Sequence, residues 1–402
     1  MISEAVRDDF PVLGQGLIYL DNAATSLTPK PVIDRLMEYY IHYRANPSRS
    51  IHSFARRTED KLREARKTSA SFINARPEEV IFTRNATEGL NIVARGIRFD
   101  ERGGNIVVTA LEHHSNFLPW MMRCKSEGRE FRIVYPREGE ITISKDEFAA
   151  KIDGETKLVA LTHVNNVFGT ILPVREVVKM AHENGAYVVL DAAQSTPHMR
   201  VDVKELDVDF LALSGHKICG PTGSGLLYIK KNLMERVDPL NLGGGAVLNV
   251  QSSSYELADP PAKYEAGTVA HCEAMAMADA FEYVNRIGLD DILDHDRQLI
   301  GLAHELLEDV DQVKIYSPTA GEGTSILAFT IGKLDPAEVA MILDSSSNIA
   351  VRSGHLCAQV CTRDVLSEPE GVVRASTYFY NTEKEIRTFA EAVKDIVDTM
   401  VE

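Results

Sequence analysis

The feature that most constrains this 402-residue chain is the alternation, through its middle, of short apolar runs with amphipathic helical stretches. Runs at 105–110, 131–135, 158–162, 187–190, 210–214 and 225–229 have the length of strands. Helical patterns lie between several of them, as at 174–184, which ends at Gly185. Such βα alternation predicts a mainly parallel sheet covered by helices. Sheets of this kind gather ligands at the carboxyl ends of their strands. The polar residues that follow each apolar run are therefore the functional candidates.

Beyond the sheet, the pattern from 273 to 308 reads as one long helix, with Ala274, Ala276, Ala278 and Ala280 in its first half. A helix of this kind often connects two domains. A strand at 325–331, a helix at 336–345, a loop rich in small residues, a strand at 372–376 and a closing helix at 383–400 follow. The expected class is α/β, with a large mainly parallel-sheet domain over 17–287 and a smaller α+β domain over 288–402. Residues 1–16 are expected to pack on the smaller one. No internal repeat or low-complexity tract points to a solenoid.

Composition bounds the partners. A formal net charge of -16 argues against a nucleic-acid backbone or an anionic membrane as the main partner. It still permits a local basic pocket for a small phosphate. No run approaches the roughly 20 apolar residues of a membrane helix, and residues 1–10 lack the apolar core of a signal peptide. Cys124, Cys219, Cys272, Cys357 and Cys361 are scattered and lack paired CxxC spacing, so no metal site or disulfide scaffold is expected. A reducing cytoplasm fits that usage.

The run at 187–190 leads into Asp191, Ala192, Ala193 and Gln194, and the run at 210–214 leads into Gly215, His216 and Lys217. Asp191 and Lys217 should thus emerge at the same sheet edge. An amine beside a carbonyl cofactor can form an imine, and a neighbouring carboxylate can hold a pyridinium nitrogen protonated. Singly, each residue reads more readily as a helix-capping Asp or an ordinary surface Lys. Their joint order with Gln194 and Ser214 favours the cofactor. The segment 83–91 follows a short strand at 80–82 and opens a helix, where Thr87 and nearby amides could meet a phosphate. It reads as readily as a capping segment with Thr87 or Asn85 at the N-cap. Ser214 and His216 could donate to the same phosphate. After the run at 105–110 comes Glu112-His-His-Ser-Asn116, where an imidazole could stack on a flat ring or move protons. His113 is the better candidate, and without acidic or Cys partners at metal spacing a zinc site is not expected.

Together these segments resemble the pyridoxal-phosphate-dependent class V aminotransferase family, and within it the Suf-type, selenocysteine lyase-like cysteine desulfurases. The resemblance also rests on Tyr19-Leu-Asp-Asn-Ala-Ala-Thr25, Asn166 before Gly169-Thr170, Gly220-Pro-Thr-Gly223 and Tyr264-Glu-Ala-Gly-Thr268. It extends to Val351-Arg-Ser-Gly-His-Leu-Cys-Ala358, Arg374-Ala-Ser376 and Tyr380-Asn-Thr382. It implies the fold type I architecture and pyridoxal 5'-phosphate as cofactor. Lys217 would then be the Schiff-base lysine and Asp191 the partner of the pyridine nitrogen. Gln194 would bond the phenolic oxygen, His113 would stack on the ring, and Thr87, Ser214 and His216 would bind the phosphate. Thr268 resembles a residue that reaches the phosphate of a neighbouring subunit, which implies a homodimer. Arg374 would hold the substrate carboxylate, with Asn166, Arg352 and His52 on the substrate side.

Cys357 decides the reaction that the resemblance implies. In a desulfurase its thiolate takes sulfur from L-cysteine as a persulfide, leaving alanine, for a sulfur acceptor such as an iron–sulfur cluster scaffold. Lys217 would move the α-proton and His113 would assist. Arg352 and His355 lie near enough in sequence to favour the thiolate. Two departures from the family pattern stand out. Leu356 replaces a second histidine, and an additional thiol, Cys361, follows four residues after Cys357. Cys361 reads as incidental and Cys219 as a packing variant. The competing readings are selenocysteine lyase, cysteine-sulfinate lyase or another class V activity, and more distantly a non-catalytic sulfur carrier or scaffold protein.

Overall fold

In the computed structural model the apolar runs pair into one seven-stranded sheet. The structure describes residues 2, 4–47, 51–319 and 321–400, so parts of the expected segments 1–16 and 288–402 lie outside it. The strands are β1 (Val80–Thr83), β2 (Asn105–Thr109), β3 (Glu130–Val134), β4 (Thr156–Thr162), β5 (Tyr187–Asp191), β6 (Phe210–Ser214) and β7 (Gly225–Ile229). Their order across the sheet is β1-β7-β6-β5-β4-β2-β3. Neighbours are parallel, except that β7 runs antiparallel to β1 and β6.

Both faces of the sheet are covered, which is why its strands read as continuous apolar runs. Alternate residues point to opposite cores. Ile106 and Val108 of β2 join Leu90, Val93, Phe117 and Trp120 from the helices Ala86–Gly96 and His114–Glu127. Val107 faces the other way, into the core that holds Val177 and Val178 of Val174–Glu183 and Phe281 of His271–Ile287. From β2 the chain moves outward to β3 and then returns to β4 on the other side of β2. Such a reversal opens a crevice at the carboxyl ends of the strands.

A second, four-stranded antiparallel sheet is built from Val313–Ile315, Ile326–Ile331, Val372–Ser376 and Arg352–Gly354. Its core contains Leu299, Phe329, Val339 and Phe389, together with Leu20 from near the start of the chain. Ile18–Tyr19 pairs in parallel with Ile349–Ala350. The N-terminal segment is fastened by Arg7, which pairs with Glu385 at 2.8 Å, and by Phe10, packed on Tyr283, Phe379 and Tyr380.

Two expectations are corrected. The single helix over 273–308 is two helices, His271–Ile287 and Leu289–Leu307, parted at Gly288 with φ +98. A positive φ of this size suits glycine alone and ends helical propagation. The loop after 345 is not free of regular structure, because Arg352–Gly354 forms an edge strand against Val372–Ser376. That segment has no apolar residue to announce a strand.

Candidate active site

A cavity of about 350 Å³ opens where β5 and β6 end. Strand β5 delivers Asp191 at its last residue, and β6 ends at Ser214, followed by the short turn Gly215–Lys217. Asp191 is buried, and its Oδ1 accepts the Ala193 N–H at 3.0 Å. Its carboxyl also lines the cavity and makes no other hydrogen bond among the described residues. Lys217 faces the same space, and its amine has no hydrogen bond or ion pair among the described residues. Burial lowers it from 10.5 to about 8, although Asp191 opposes the shift. Burial likewise raises Asp191.

At the other end of the cavity the helix Ala86–Gly96 begins. Asn85 caps it, its side chain accepting the Glu88 N–H at 3.0 Å, so Thr87 is not the N-cap. The Ala86 N–H donates to Ser214 Oγ at 2.9 Å, joining β6 to this helix start. Thr87 Oγ1 lies 2.7 Å from Ser115 Oγ. The close approach depends on Gly225 of β7, where a Cβ would fall 2.6 Å from Asn85 Cα. His216 lines the same end, and burial lowers it to about 4, so it is neutral at pH 7.

His113 follows β2 and caps the helix His114–Glu127, its Nδ1 accepting the Ser115 N–H at 3.1 Å. Burial, helped by Lys217, lowers it to about 3, so its ring faces the cavity as a neutral imidazole. Gln194 also lines the cavity and donates from Nε2 to the Ala23 carbonyl at 2.7 Å.

The cavity roof comes from the second sheet. Arg374 and Arg352 sit directly opposite each other on neighbouring strands. Both line the cavity, and both bind Asp21. Arg374 Nη2 lies 3.2 Å from Asp21 Oδ1, and Arg352 Nη2 lies 2.5 Å from Oδ2. Arg374 Nη1 donates to the Asn166 carbonyl at 2.9 Å, while its buried Nε has no partner among the described residues. Asn166 donates from Nδ2 to the Leu356 carbonyl at 2.8 Å.

Cys357 lies at the cavity mouth and is exposed. Four residues on, Cys361 is fully buried, and burial raises its pKa, keeping it a thiol. Cys219 is buried in the same protonated state. His355 is turned toward Thr362 and Arg363, at 2.8 and 3.3 Å, and does not line the cavity.

Eleven of the singled-out residues therefore surround one cavity: Thr87, His113, Asn166, Asp191, Gln194, Ser214, His216, Lys217, Arg352, Cys357 and Arg374. Two do not. His52 is exposed and caps the helix Ser53–Phe72 through Nδ1, which accepts the Ala55 N–H. Thr268 lies at a separate hollow of about 460 Å³, where it accepts from Asn46 at 3.4 Å. Sequence reasoning assigned no role to Asp21, although its motif was noticed. It also left Glu112 without one. That carboxyl is buried, pushed up to about 8 by burial, and receives Thr109, Asn116 and the Thr162 N–H. Glu112 thereby ties the ends of β2 and β4 to the helix behind His113.

Comparison with known proteins is consistent along the whole chain. The family model described as Aminotransferase class-V matches residues 18–389. A probable cysteine desulfurase of Methanothermobacter thermautotrophicus is 41% identical over 398 residues, covering 98% of each chain. One from Pyrococcus abyssi is 42% identical over 403 residues, covering 99% of this chain and 98% of its own. The apo structure of a cysteine desulfurase from Thermococcus onnurineus superposes with a TM-score of 0.95 at 40% identity, over 100% of this chain and 99% of the other.

Proposed function

The chain belongs to the class V aminotransferase family, and from that premise we propose the chemistry of its cavity. It is a pyridoxal-phosphate-dependent cysteine desulfurase, converting L-cysteine to L-alanine with transfer of sulfur to the protein. The carrying observation is that Lys217, Asp191 and the exposed thiol of Cys357 line one cavity.

The cavity fits the cofactor. It offers an unpartnered buried amine, a carboxylate with cavity-facing capacity, and a glycine-dependent helix start able to take a phosphate. Lys217 would hold the carbonyl carbon, Asp191 the ring nitrogen and Gln194 the phenolic oxygen. His113 would lie against the ring. Thr87, Ser214 and His216 would hold the phosphate. When bound, pyridoxal phosphate supplies an electron sink for charge developing at the substrate α-carbon.

The protein groups divide the remaining work. Arg374 receives the substrate carboxylate, helped by Asn166 and Arg352. Lys217, with its lowered pKa, is a free amine for part of the population at neutral pH and removes the α-proton. Cys357 attacks the substrate sulfur as a thiolate, forming an S–S bond as the C–S bond breaks; the electron pair released to the β-carbon takes up a proton, and alanine leaves. His113, a neutral imidazole in the cavity, would relay protons beside the bound ring.

The finer setting belongs to the same reading. The persulfide serves a sulfur-acceptor protein in iron–sulfur cluster assembly, in the cytoplasm. Five free cysteines support a reducing location, and no described helix is long and apolar enough to cross a membrane. A homodimer would account for Thr268 and His52, which lie outside their own cavity and would serve a partner's. A division at 288 is supported by the break at Gly288 and by the separate core around Phe329 and Phe389, a core that also takes in Ile18 and Leu20 from the start of the 17–287 segment.

The test is mass spectrometry of the protein after incubation with cysteine. A persulfide on Cys357 with alanine release is expected, and Lys217→Ala should abolish both. Sulfide release at the wild-type rate by Cys357→Ser would remove the role assigned to that thiol.

A further inference from the structure

Leu356 and Cys357, at the tip of the thiol loop, both hold left-handed backbone, with φ +54 and +57. Two successive side-chain-bearing residues rarely adopt this region, so contacts from outside the loop must hold them there. Asn166 supplies one, through the Leu356 carbonyl. His114 supplies two more. Its main-chain N–H donates to the Cys357 carbonyl at 2.7 Å, and its ring Nε2 accepts the Gln359 N–H at 3.2 Å.

Gln359 opens the helical turn that runs on into Cys361–Val365. The imidazole thus satisfies an amide that the turn itself leaves open. The loop's own imidazole is committed elsewhere, since His355 bonds Thr362 and faces Arg363. His114 is itself firmly seated, because it begins the helix His114–Glu127 that His113 caps.

We propose that His114 is a positioning residue for Cys357, gripping the backbone at the thiol's own carbonyl and again two residues on at Gln359, and so holding the thiol at the mouth of the cavity. The inference rests on the reading of Cys357 as the sulfur-accepting thiol. An acceptor on residue 114 is what the geometry requires, so glutamine can replace the imidazole and alanine cannot.

The test compares holoenzyme carrying His114→Ala or His114→Gln with the wild type. Amide hydrogen exchange over 356–365 is followed by mass spectrometry, and persulfide formation on Cys357 is timed in a single turnover across cysteine concentrations. In the alanine variant, exchange at Gln359 should rise, and the saturating rate should fall about fivefold as the population of the positioned loop drops by what a lost helix cap costs in stability. The cysteine concentration at half-maximal rate should not move. Glutamine should restore both readouts. Wild-type exchange and rate in the alanine variant would overturn the proposal, as would a glutamine variant that restores exchange but not the rate. A wild-type protein that forms no persulfide would instead defeat the desulfurase reading, and exchange would still decide whether His114 holds the loop.

Discussion

At the residue scale, the site is governed by what each buried charge faces. Arg352 and Arg374 oppose each other across an antiparallel pair, an arrangement that repels unless a third charge lies between. Asp21 is that charge, bonded to both. The pair leaves one positive charge in excess, which suits a single substrate carboxylate. Asp21→Asn should cost about 3 kcal/mol, because it leaves the buried Arg374 without its counter-charge; the urea midpoint reads this. An unchanged midpoint would mean that Asp21 does not hold the arginines. Lys217 gives a second prediction. Its pKa falls from 10.5 to about 8 on folding. Between those values the unfolded chain binds more protons, so the cofactor-free protein gains stability as pH rises through that window. Below about 8 none of that gain remains. Labelling of Lys217 by an amine reagent should be half-maximal near pH 8 when folded, and near 10.5 in urea. Equal midpoints would rule out the burial effect. Lys217, Asp191 and Gln194 were legible in the sequence because each lies at the end of a strand or a few residues beyond it. The role of Asp21 was not, since its partners lie 331 and 353 residues away.

At the element scale, the large sheet was legible within a residue or two at most ends, because strands buried on both faces carry unbroken apolar runs. The helix break at Gly288 was the chief miss. Its signal was present in Ile287-Gly-Leu-Asp-Asp291, a glycine followed by acidic residues in a first helical turn. The alanine periodicity upstream simply outweighed it. The backbone there has φ +98 and ψ 118, and a Cβ would come within 3.0 Å of Asp291 Oδ2. Gly288→Ala should therefore destabilise the protein by about 1–3 kcal/mol, the cost of forcing a side chain into a glycine-only region. A thermal midpoint equal to that of the wild type would mean the two helices can fuse, as the sequence pattern alone suggests. The edge strand Arg352–Gly354 was hidden for the opposite reason. Its pairing comes from backbone hydrogen bonds next to Val372–Ser376, and hydrophobic pattern says nothing about those.

At the scale of the whole molecule, several large apolar side chains stand exposed near one another in the sequence. Tyr40, Ile41 and Phe54 are each more than half exposed, at 55%, 63% and 52%, at the C-terminal end of the first helical segment and the start of the next. Clustered exposure of this kind marks an interaction surface. The same region carries His52, and the hollow at Thr268 is linked to it through Asn46. Two residues that the family resemblance assigns to cofactor and substrate thus lie outside their own cavity, His52 in the segment that carries these apolar side chains and Thr268 bonded to Asn46. A second copy of the chain would cover that surface and bring both residues to the partner's cavity. Sedimentation should give a two-chain species for the wild type. The double variant Tyr40→Glu, Ile41→Glu should sediment as one chain and release pyridoxal phosphate on dialysis, while its far-ultraviolet dichroism stays that of a folded protein. Thr268→Ala should leave the two-chain species intact yet weaken cofactor retention. A wild-type protein that sediments as a single chain while turning over cysteine would end the dimer reading and leave Thr268 without a role.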